Sequence, residues 1–261
     1  MIETPVDAVI LAGSRPAGDP LADAHSAPAK ALVKVAGRPM LSYVAKALID
    51  HKAIGSIRIL AQDTETLKSD PGTSWLVKED RIKFTVSRST IATSIDEILA
   101  QDDARFPLLI TTADNVLLSE AMITRFSDGA EGSDIAIAVV EKQVLFARYP
   151  ESKRTWIKFR GGQYSGANLF YFGSAKAQRA LRVWAEIEQD RKKGWKILTI
   201  FGPWLLFLAV VRLISVDQFA ARVGKKLGLS VSIVKMPQAE ACIDVDKQSD
   251  LDLVEKILAS S

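Results

Sequence analysis

Short apolar runs that alternate with helical repeats constrain the fold of this chain more than any other feature. Residues 8–12 form a buried-strand pattern that ends at Gly13, and residues 106–112 form a second that ends shortly before Asp114. Further strands are predicted at 57–60, 82–86, 133–140, 231–236 and 241–245, with a hairpin over 156–172. Helices are predicted at 39–49, 91–99, 119–126, 175–189 and 249–259, the last with Ser249 as its N-cap. This alternation predicts an α/β fold with a mostly parallel sheet.

The size and composition favour one globular domain over residues 1–261. Of the 261 residues, 48% are apolar and 25% are charged, and no internal repeat or low-complexity linker interrupts them. The net charge of +3 and the scattered basic residues do not favour nucleic acid as a partner. Cys242 is the only cysteine, which excludes an internal disulfide and fits a reducing compartment.

No targeting or membrane-spanning segment is visible in the sequence. The N-terminus lacks a basic segment followed by an apolar one, so it does not resemble a secretory signal. The longest apolar run, 200–211, is shorter than the roughly 20 residues that span a bilayer. We therefore expect a cytoplasmic protein.

The loop after the first predicted strand has the composition of an anion-binding segment. A strand that opens into a loop at Gly13 can direct backbone N–H groups at a phosphate, and glycine permits close approach. Arg15 offers a fork for phosphate oxygens and Lys30 a point charge. The pattern also fits a solvated loop with incidental cations, and this stretch alone does not separate the two interpretations.

Three carboxylates lie within or just after predicted strands. Asp114 comes at the carboxyl end of a strand, where open α/β sheets bind ligands and where Mg²⁺ finds the oxygen donors it prefers. Asp114 also suits the cap of a turn. Strand alternation would place Asp244 and Asp246 on one face, where they repel unless a cation or solvent intervenes.

Four segments, in this order along the chain, resemble the signature of the GT-A-like nucleotidyltransferases. They are 11–15, 30–32 with 37–41, Asp114, and 246–251, which is similar to the family's closing Asp-Thr-Pro-Glu-Asp-Leu segment. The superfamily includes molybdenum-cofactor guanylyl- and cytidylyltransferases, sugar-phosphate nucleotidyltransferases and methylerythritol-phosphate cytidylyltransferases. Ser14 stands where the family has a second glycine, and Lys247 and Gln248 replace its Thr-Pro. These departures leave the choice of nucleobase open.

The resemblance implies a fold, a reaction and a set of site residues. The fold would be a three-layer sandwich of the GT-A, nucleotide-diphospho-sugar-transferase type in one nucleotidyltransferase domain. The reaction would move NMP from an NTP, CTP or GTP being favoured, to a small phosphorylated acceptor with release of pyrophosphate, and it would need Mg²⁺. Arg15 and Lys30 would be catalytic, and Asp114 and Asp246 would bind the metal. Leu11, Ala12, Gly13, Ser14, Thr93 and Ser94 would bind the nucleotide, and Lys158, Arg160, Asn168 and Asp244 are weaker candidates for the acceptor.

A segment at about 190–228 is not explained by the basic fold. It combines basic residues around Trp195 with a run rich in leucine and aromatic residues, and more basic residues follow. A helical insertion that packs on its own sheet or in a homodimer is the favoured interpretation, because a run apolar all round is usually buried. The alternative is contact of 195–226 with an anionic membrane, at its inner face for a cytoplasmic protein.

Two other functions compete with nucleotidyl transfer. A glycosyltransferase that uses a nucleotide-sugar donor has the same overall shape, but it does not need Lys30 to stabilise a triphosphate. A catalytically idle nucleotide- or partner-binding module would not need both Asp114 and Asp246.

Overall fold

Parallel strands on both sides of β1 (Val6–Leu11) organise the part of the fold that carries Lys30, Asp114 and Asp246. The structure is a computed structural model, and it describes residues 5–14, 18–87, 90–100, 105–189 and 202–260. Two structural units divide the chain. The first comprises residues up to 87 together with 108–125 and 243–261, and the second comprises 88–107 with 126–242.

The first unit holds a four-stranded parallel sheet in the order β6-β1-β4-β5. Its remaining strands are β4 (Ile54–Ala61), β5 (Ile82–Val86) and β6 (Leu108–Thr112), and a two-stranded antiparallel ribbon joins β2 (Lys34–Val35) to β3 (Arg38–Pro39). Leu11, the last residue of β1, pairs with Leu60 of β4 and Thr112 of β6. The carboxyl ends of these strands therefore meet at one edge, and the loops that leave this edge can share a site.

The helices of this unit cover a sheet that is apolar on both faces. Consecutive residues of both strands, Val9 with Ile10 in β1 and Leu109 with Ile110 in β6, are fully buried, as expected for parallel strands between helical layers. The helices are α1 (Pro20–Ala24), α2 (Met40–Asp50), α3 (Thr64–Ser69), the first part of α5 (Glu120–Ala130) and α10 (Gln248–Ala259), with 3₁₀ turns at Lys30–Leu32 and Ser74–Lys78.

The second unit is built around β7 (Ile135–Glu141). This strand pairs in parallel with β10 (Val231–Lys235) and antiparallel with β9 (Gly162–Phe172), which forms a hairpin with β8 (Ile157–Phe159). Its helices are α4 (Ile91–Leu99), the end of α5, α6 (Lys142–Arg148), α7 (Gln178–Gln189), α8 (Pro203–Val210) and α9 (Val216–Leu227), with 3₁₀ turns at Ala175–Ala177 and Ala239–Cys242. The predicted fold class, an α/β fold with a mostly parallel mixed sheet, is confirmed.

Two sequence-based assignments near the C-terminus are wrong. Residues 241–245 form no strand; a 3₁₀ turn covers Ala239–Cys242, and the residues that follow it lie outside the sheet. The N-cap of α10 is Lys247, so Ser249 lies inside the helix. Within the described ranges, no helix is both long and apolar enough to cross a bilayer. The insertion predicted at 190–228 is described from residue 202 onwards, where it forms α8 and α9.

Candidate active site

The loop that follows β1 is held by a side chain from the end of β4. The backbone N–H of Ser14 donates to Oε1 of Gln62 over 3.0 Å. A Cβ at Gly13 would lie 2.8 Å from the same oxygen, so glycine lets this carboxamide lie against the loop. Gln62 gave no signal in the sequence, because a glutamine after a strand is indistinguishable from a solvated one.

Lys30 is positioned by a single 3₁₀ turn that begins at Lys30 itself. The next two residues, Ala31 and Leu32, are buried and anchor the turn in the core. The Lys30 ammonium contacts Oδ2 of Asp114 and Oδ1 of Asp246, both at 2.5 Å. Burial by itself lowers the pKa of Lys30, but the two carboxylates outweigh it, Asp114 most strongly, and the pKa is raised above its usual 10.5. Lys30 is therefore a permanent cation at neutral pH.

Asp114 is fixed by its own strand and by a distant segment of the chain. Thr112, the last residue of β6, donates its hydroxyl to Oδ1 of Asp114 over 2.5 Å. The Asp114 carbonyl accepts the N–H of Val245 over 3.1 Å, and the N–H of Ala113 donates to the carbonyl of Leu11 over 3.0 Å. These bonds bring the carboxyl ends of β1 and β6 and the segment 243–246 together.

The segment 243–246 presents two carboxylates although it is not part of the sheet. Ile243 and Val245 are fully buried, so the alternation of an extended chain leaves Asp244 half-buried and Asp246 exposed. Asp250, in the first turn of α10, is buried, and its Oδ2 accepts the N–H of Asp246 over 3.3 Å. The burial of Asp250 depends on tertiary packing and gave no signal in the sequence.

The three aspartates form one cluster. Carboxylate oxygens of Asp114, Asp244 and Asp246 lie within 4.8 Å of one another. Hard oxygen donors at this spacing match the preference of Mg²⁺ and similar divalent cations. The sequence predicted that Asp114 and Asp246 act together, whereas it assigned Asp244 to the acceptor; the structure places Asp244 with the other two.

The remaining predicted site residues differ in what the structure shows of them. Arg15 lies outside the described residues. Thr93 and Ser94 are in α4 of the second unit, where Thr93 bonds the N-cap threonine of that helix and Ser94 is buried. Their predicted contact with the base stays a prediction.

The three acceptor candidates of the hairpin also belong to the second unit. Lys158 is exposed on β8, and Arg160 donates to Oε1 of Gln218 over 3.1 Å. Asn168 lies within β9 in a left-handed conformation, with φ of 48°, which is uncommon outside glycine and is tolerated best by asparagine and aspartate. Their role toward the acceptor stays a prediction as well.

Comparison with known proteins identifies the family. The sequence matches the MobA-like NTP transferase domain over residues 8–201, which is most of the chain. The chain belongs to this family. The resemblance inferred from the motifs is thereby confirmed, and the family assigns the chain to the NTP transferases. A search of curated proteins gave no match.

Solved structures share the fold at low sequence identity. A hypothetical transferase from Thermus thermophilus is 24% identical, with a TM-score of 0.79 over 95% of this chain and all of that one. The 4-diphosphocytidyl-2C-methyl-D-erythritol synthase of Anaerococcus prevotii is 14% identical, with a TM-score of 0.54 over 98% of this chain and 96% of that one. A CMP:2-keto-3-deoxy-manno-octonic acid synthetase complexed with CTP is 11% identical, with a TM-score of 0.58 over 98% and 99%. At these sequence identities, the comparisons show that the chain shares the fold of these proteins.

Proposed function

We propose that this chain transfers NMP from an NTP to a small phosphorylated acceptor and releases pyrophosphate. The observation that carries the proposal is the contact of the Lys30 ammonium with both Asp114 and Asp246, beside a third carboxylate, at the carboxyl end of the parallel sheet. A largely protected cation next to carboxylates that can hold a metal suits the binding of a polyphosphate substrate.

The aspartate cluster fits a divalent cation by the chemistry of its donors. Asp114, Asp244 and Asp246 would hold Mg²⁺, which when bound supplies positive charge to phosphate oxygens. Thr112 and Asp250 position the cluster, because the first fixes one oxygen of Asp114 and the second fixes the backbone of Asp246. We infer Mg²⁺ dependence from this donor set together with the family membership.

The proposed reaction is an in-line displacement at the α-phosphorus. An oxygen of the acceptor phosphate forms a bond to this phosphorus. The bond from the phosphorus to the oxygen bridging the α- and β-phosphates breaks, and its electron pair leaves with pyrophosphate. The second pKa of a phosphate monoester is about 6, so the acceptor phosphate is largely ionised at neutral pH. Its attacking oxygen therefore needs no general base. Lys30 would offset the charge of the triphosphate and of the departing pyrophosphate, and Arg15 would assist it.

CTP is the nucleotide that we propose to test first. Two of the solved structures of this fold carry cytidine in their names, as a diphosphocytidyl-methylerythritol synthase and as a synthetase complexed with CTP. GTP is the second choice, because the sequence resembles guanylyl- as well as cytidylyltransferases. Sugar, polyol and lipid head-group phosphates and cofactor precursors are the acceptor classes to be compared.

Pyrophosphate release tests the proposal directly. The protein is incubated with Mg²⁺, each of the four NTPs and a panel of phosphorylated acceptors, and the same series is run without metal. We expect release with one nucleotide–acceptor pair, loss of release without metal, and at least a hundredfold loss in Asp114→Asn. Asp80→Asn is the matched control, because Asp80 is exposed at the amino end of β5, the opposite edge of the sheet. NTP binding without turnover by any pair would favour an idle module, and absence of NTP binding would exclude the proposal.

A further inference from the structure

Helix α8 of the second unit presents an apolar face that belongs to no core cluster of the described residues. Every residue of this helix is apolar, yet only Leu205 and Leu208 are buried. On the other side Trp204 is 68% exposed, Phe207 51% and Val210 78%. The rings of Trp204 and Phe207 stack with their centroids 5.6 Å apart, so the two form one continuous apolar surface.

The buried side of α8 packs against neighbouring residues of the second unit. Leu205 and Leu208 form a cluster with Ile214, against which Phe219 and Val223 of α9 pack. The loop after α8 is also tied to the β8–β9 turn, because the N–H of Arg160 donates to the carbonyl of Ile214 over 2.9 Å. Among the described residues, the inner side of α8 therefore makes the packing contacts of this helix, and Trp204, Phe207 and Val210 remain exposed.

The loop that follows extends this apolar surface. Val211 and Leu213 are 42% and 55% exposed. We define the α8 face as Trp204, Phe207, Val210, Val211 and Leu213. Exposed apolar residues are common singly, but a contiguous group with two stacked aromatic rings marks an interaction surface.

Basic residues are frequent in the segment that carries the α8 face. Arg212 is exposed within the loop that extends the face. The adjoining helix α9 exposes Arg222 and Lys225, and the Nζ of Lys226 lies close to the backbone at Gly202, just before α8. Residues 202–228 hold four basic side chains and one acidic side chain, Asp217, which pairs with Lys235 at 2.8 Å. The region therefore favours an anionic partner.

We propose that the α8 face docks onto the surface of an anionic lipid bilayer. Tryptophan and phenylalanine enter the boundary between head groups and acyl chains, while arginine and lysine contact anionic head groups. A symmetric contact with a second copy would instead bring Arg212 and its cationic neighbours against the same cations. The docking is peripheral, because α8 has eight residues and is too short to span a bilayer.

Co-sedimentation of the full chain with lipid vesicles tests this proposal. We expect binding to vesicles of phosphatidylcholine mixed with phosphatidylserine, weak binding to phosphatidylcholine alone, and weakening by salt. The double variant Trp204→Ser, Phe207→Ser should bind the vesicles more weakly by a factor of roughly ten or more, because both aromatic rings that contact the apolar part of the bilayer are removed. Val77→Ser is the matched control, because Val77 is 55% exposed in the first unit.

A charge variant and two further measurements complete the test. Arg212→Glu should lower binding to phosphatidylserine vesicles, whereas Lys78→Glu, at an exposed lysine of the first unit, should not. Unchanged circular dichroism and urea midpoints would show that the variants are folded. Equal binding to both vesicle types, or no binding, would overturn the proposal. Self-association in sedimentation velocity that is lost in the double variant, without vesicle binding, would assign the α8 face to a second copy instead.

Discussion

Replacing Lys30 by methionine should tighten the binding of divalent metal while weakening the binding of nucleotide. The Lys30 ammonium contacts two of the three carboxylates that we propose as metal ligands, so it competes with a metal ion for their oxygens. Methionine keeps a similar length and apolar stem but removes the charge. Nucleotide affinity should fall because the triphosphate loses a cation.

The size of the effect follows from the exposure of the two ion pairs. Side chains of Lys30 and Asp114 are 12% and 15% exposed, so their contact is largely protected from solvent. Asp246 is 47% exposed, and water screens its contact with Lys30. A protected hydrogen bond between charged groups is worth about 1.5–3 kcal/mol. Counting this contact alone, at about 1.4 kcal/mol per tenfold, metal affinity should rise roughly ten- to a hundredfold.

Calorimetric titration of Mn²⁺ without nucleotide measures this change. Lys46→Met is the control, because Lys46 also pairs with an aspartate, Asp50, but both side chains are exposed on α2. Asp114→Asn should weaken binding in the wild type and in the Lys30→Met variant, which ties the signal to the cluster. If Lys30→Met binds Mn²⁺ no more tightly than the wild type, although Asp114→Asn abolishes binding, the competition argument is refuted.

Two further predictions concern the stability of the second unit. In Gly173→Ala the new Cβ would lie 2.1 Å from the backbone oxygen of Ser133, so we expect a loss of about 1–3 kcal/mol in urea unfolding. Gly166→Ala, which meets open space, should leave the midpoint unchanged or raised; equal loss in both would refute the steric argument. The carboxylate of Asp134 accepts several hydrogen bonds, that of the Ser174 hydroxyl having the largest effect, and they hold the pKa of Asp134 below the usual 3.8. The charged Asp134 therefore stabilises the fold at pH values above its unfolded pKa, and this contribution is lost as the pH falls through the folded pKa. Asp134→Asn should therefore lower the thermal midpoint at neutral pH, with the difference vanishing in acid; a pH-independent difference would contradict this.

Elements that span at least two periods of their apolar pattern, which repeats every two residues in a strand and every 3.6 in a helix, could be predicted from the sequence. The strand at 82–86 and the helix at 91–99 have the predicted bounds, and the predicted hairpin over 156–172 pairs antiparallel, with its turn between Phe159 and Gly162. These segments are long enough for their apolar period to identify them.

Short elements could not be predicted by the same reasoning. Helices α1, α3 and α6 have five to seven residues, which is too few for a period to emerge. Two of them did have a local signal in the sequence. Asp19 before Pro20 and Asp63 before Thr64 are N-cap residues, and each accepts backbone N–H groups of its helix.

For the candidate site too, some features could be predicted from the sequence and others depend on the tertiary structure. Motif order along the chain was enough to select Lys30, Asp114 and Asp246, because each residue type suits phosphate or metal chemistry on its own. Their convergence depends on the parallel pairing of β1 with β6 and on the bond from Val245 to Asp114, contacts between residues more than a hundred positions apart. Strand alternation predicted that Asp244 and Asp246 share a face, but it does not tell what that face meets, and the role of Asp244 toward the acceptor stays a prediction. Only the packing of Ile243 and Val245 into the core decided that Asp244 joins the other two carboxylates.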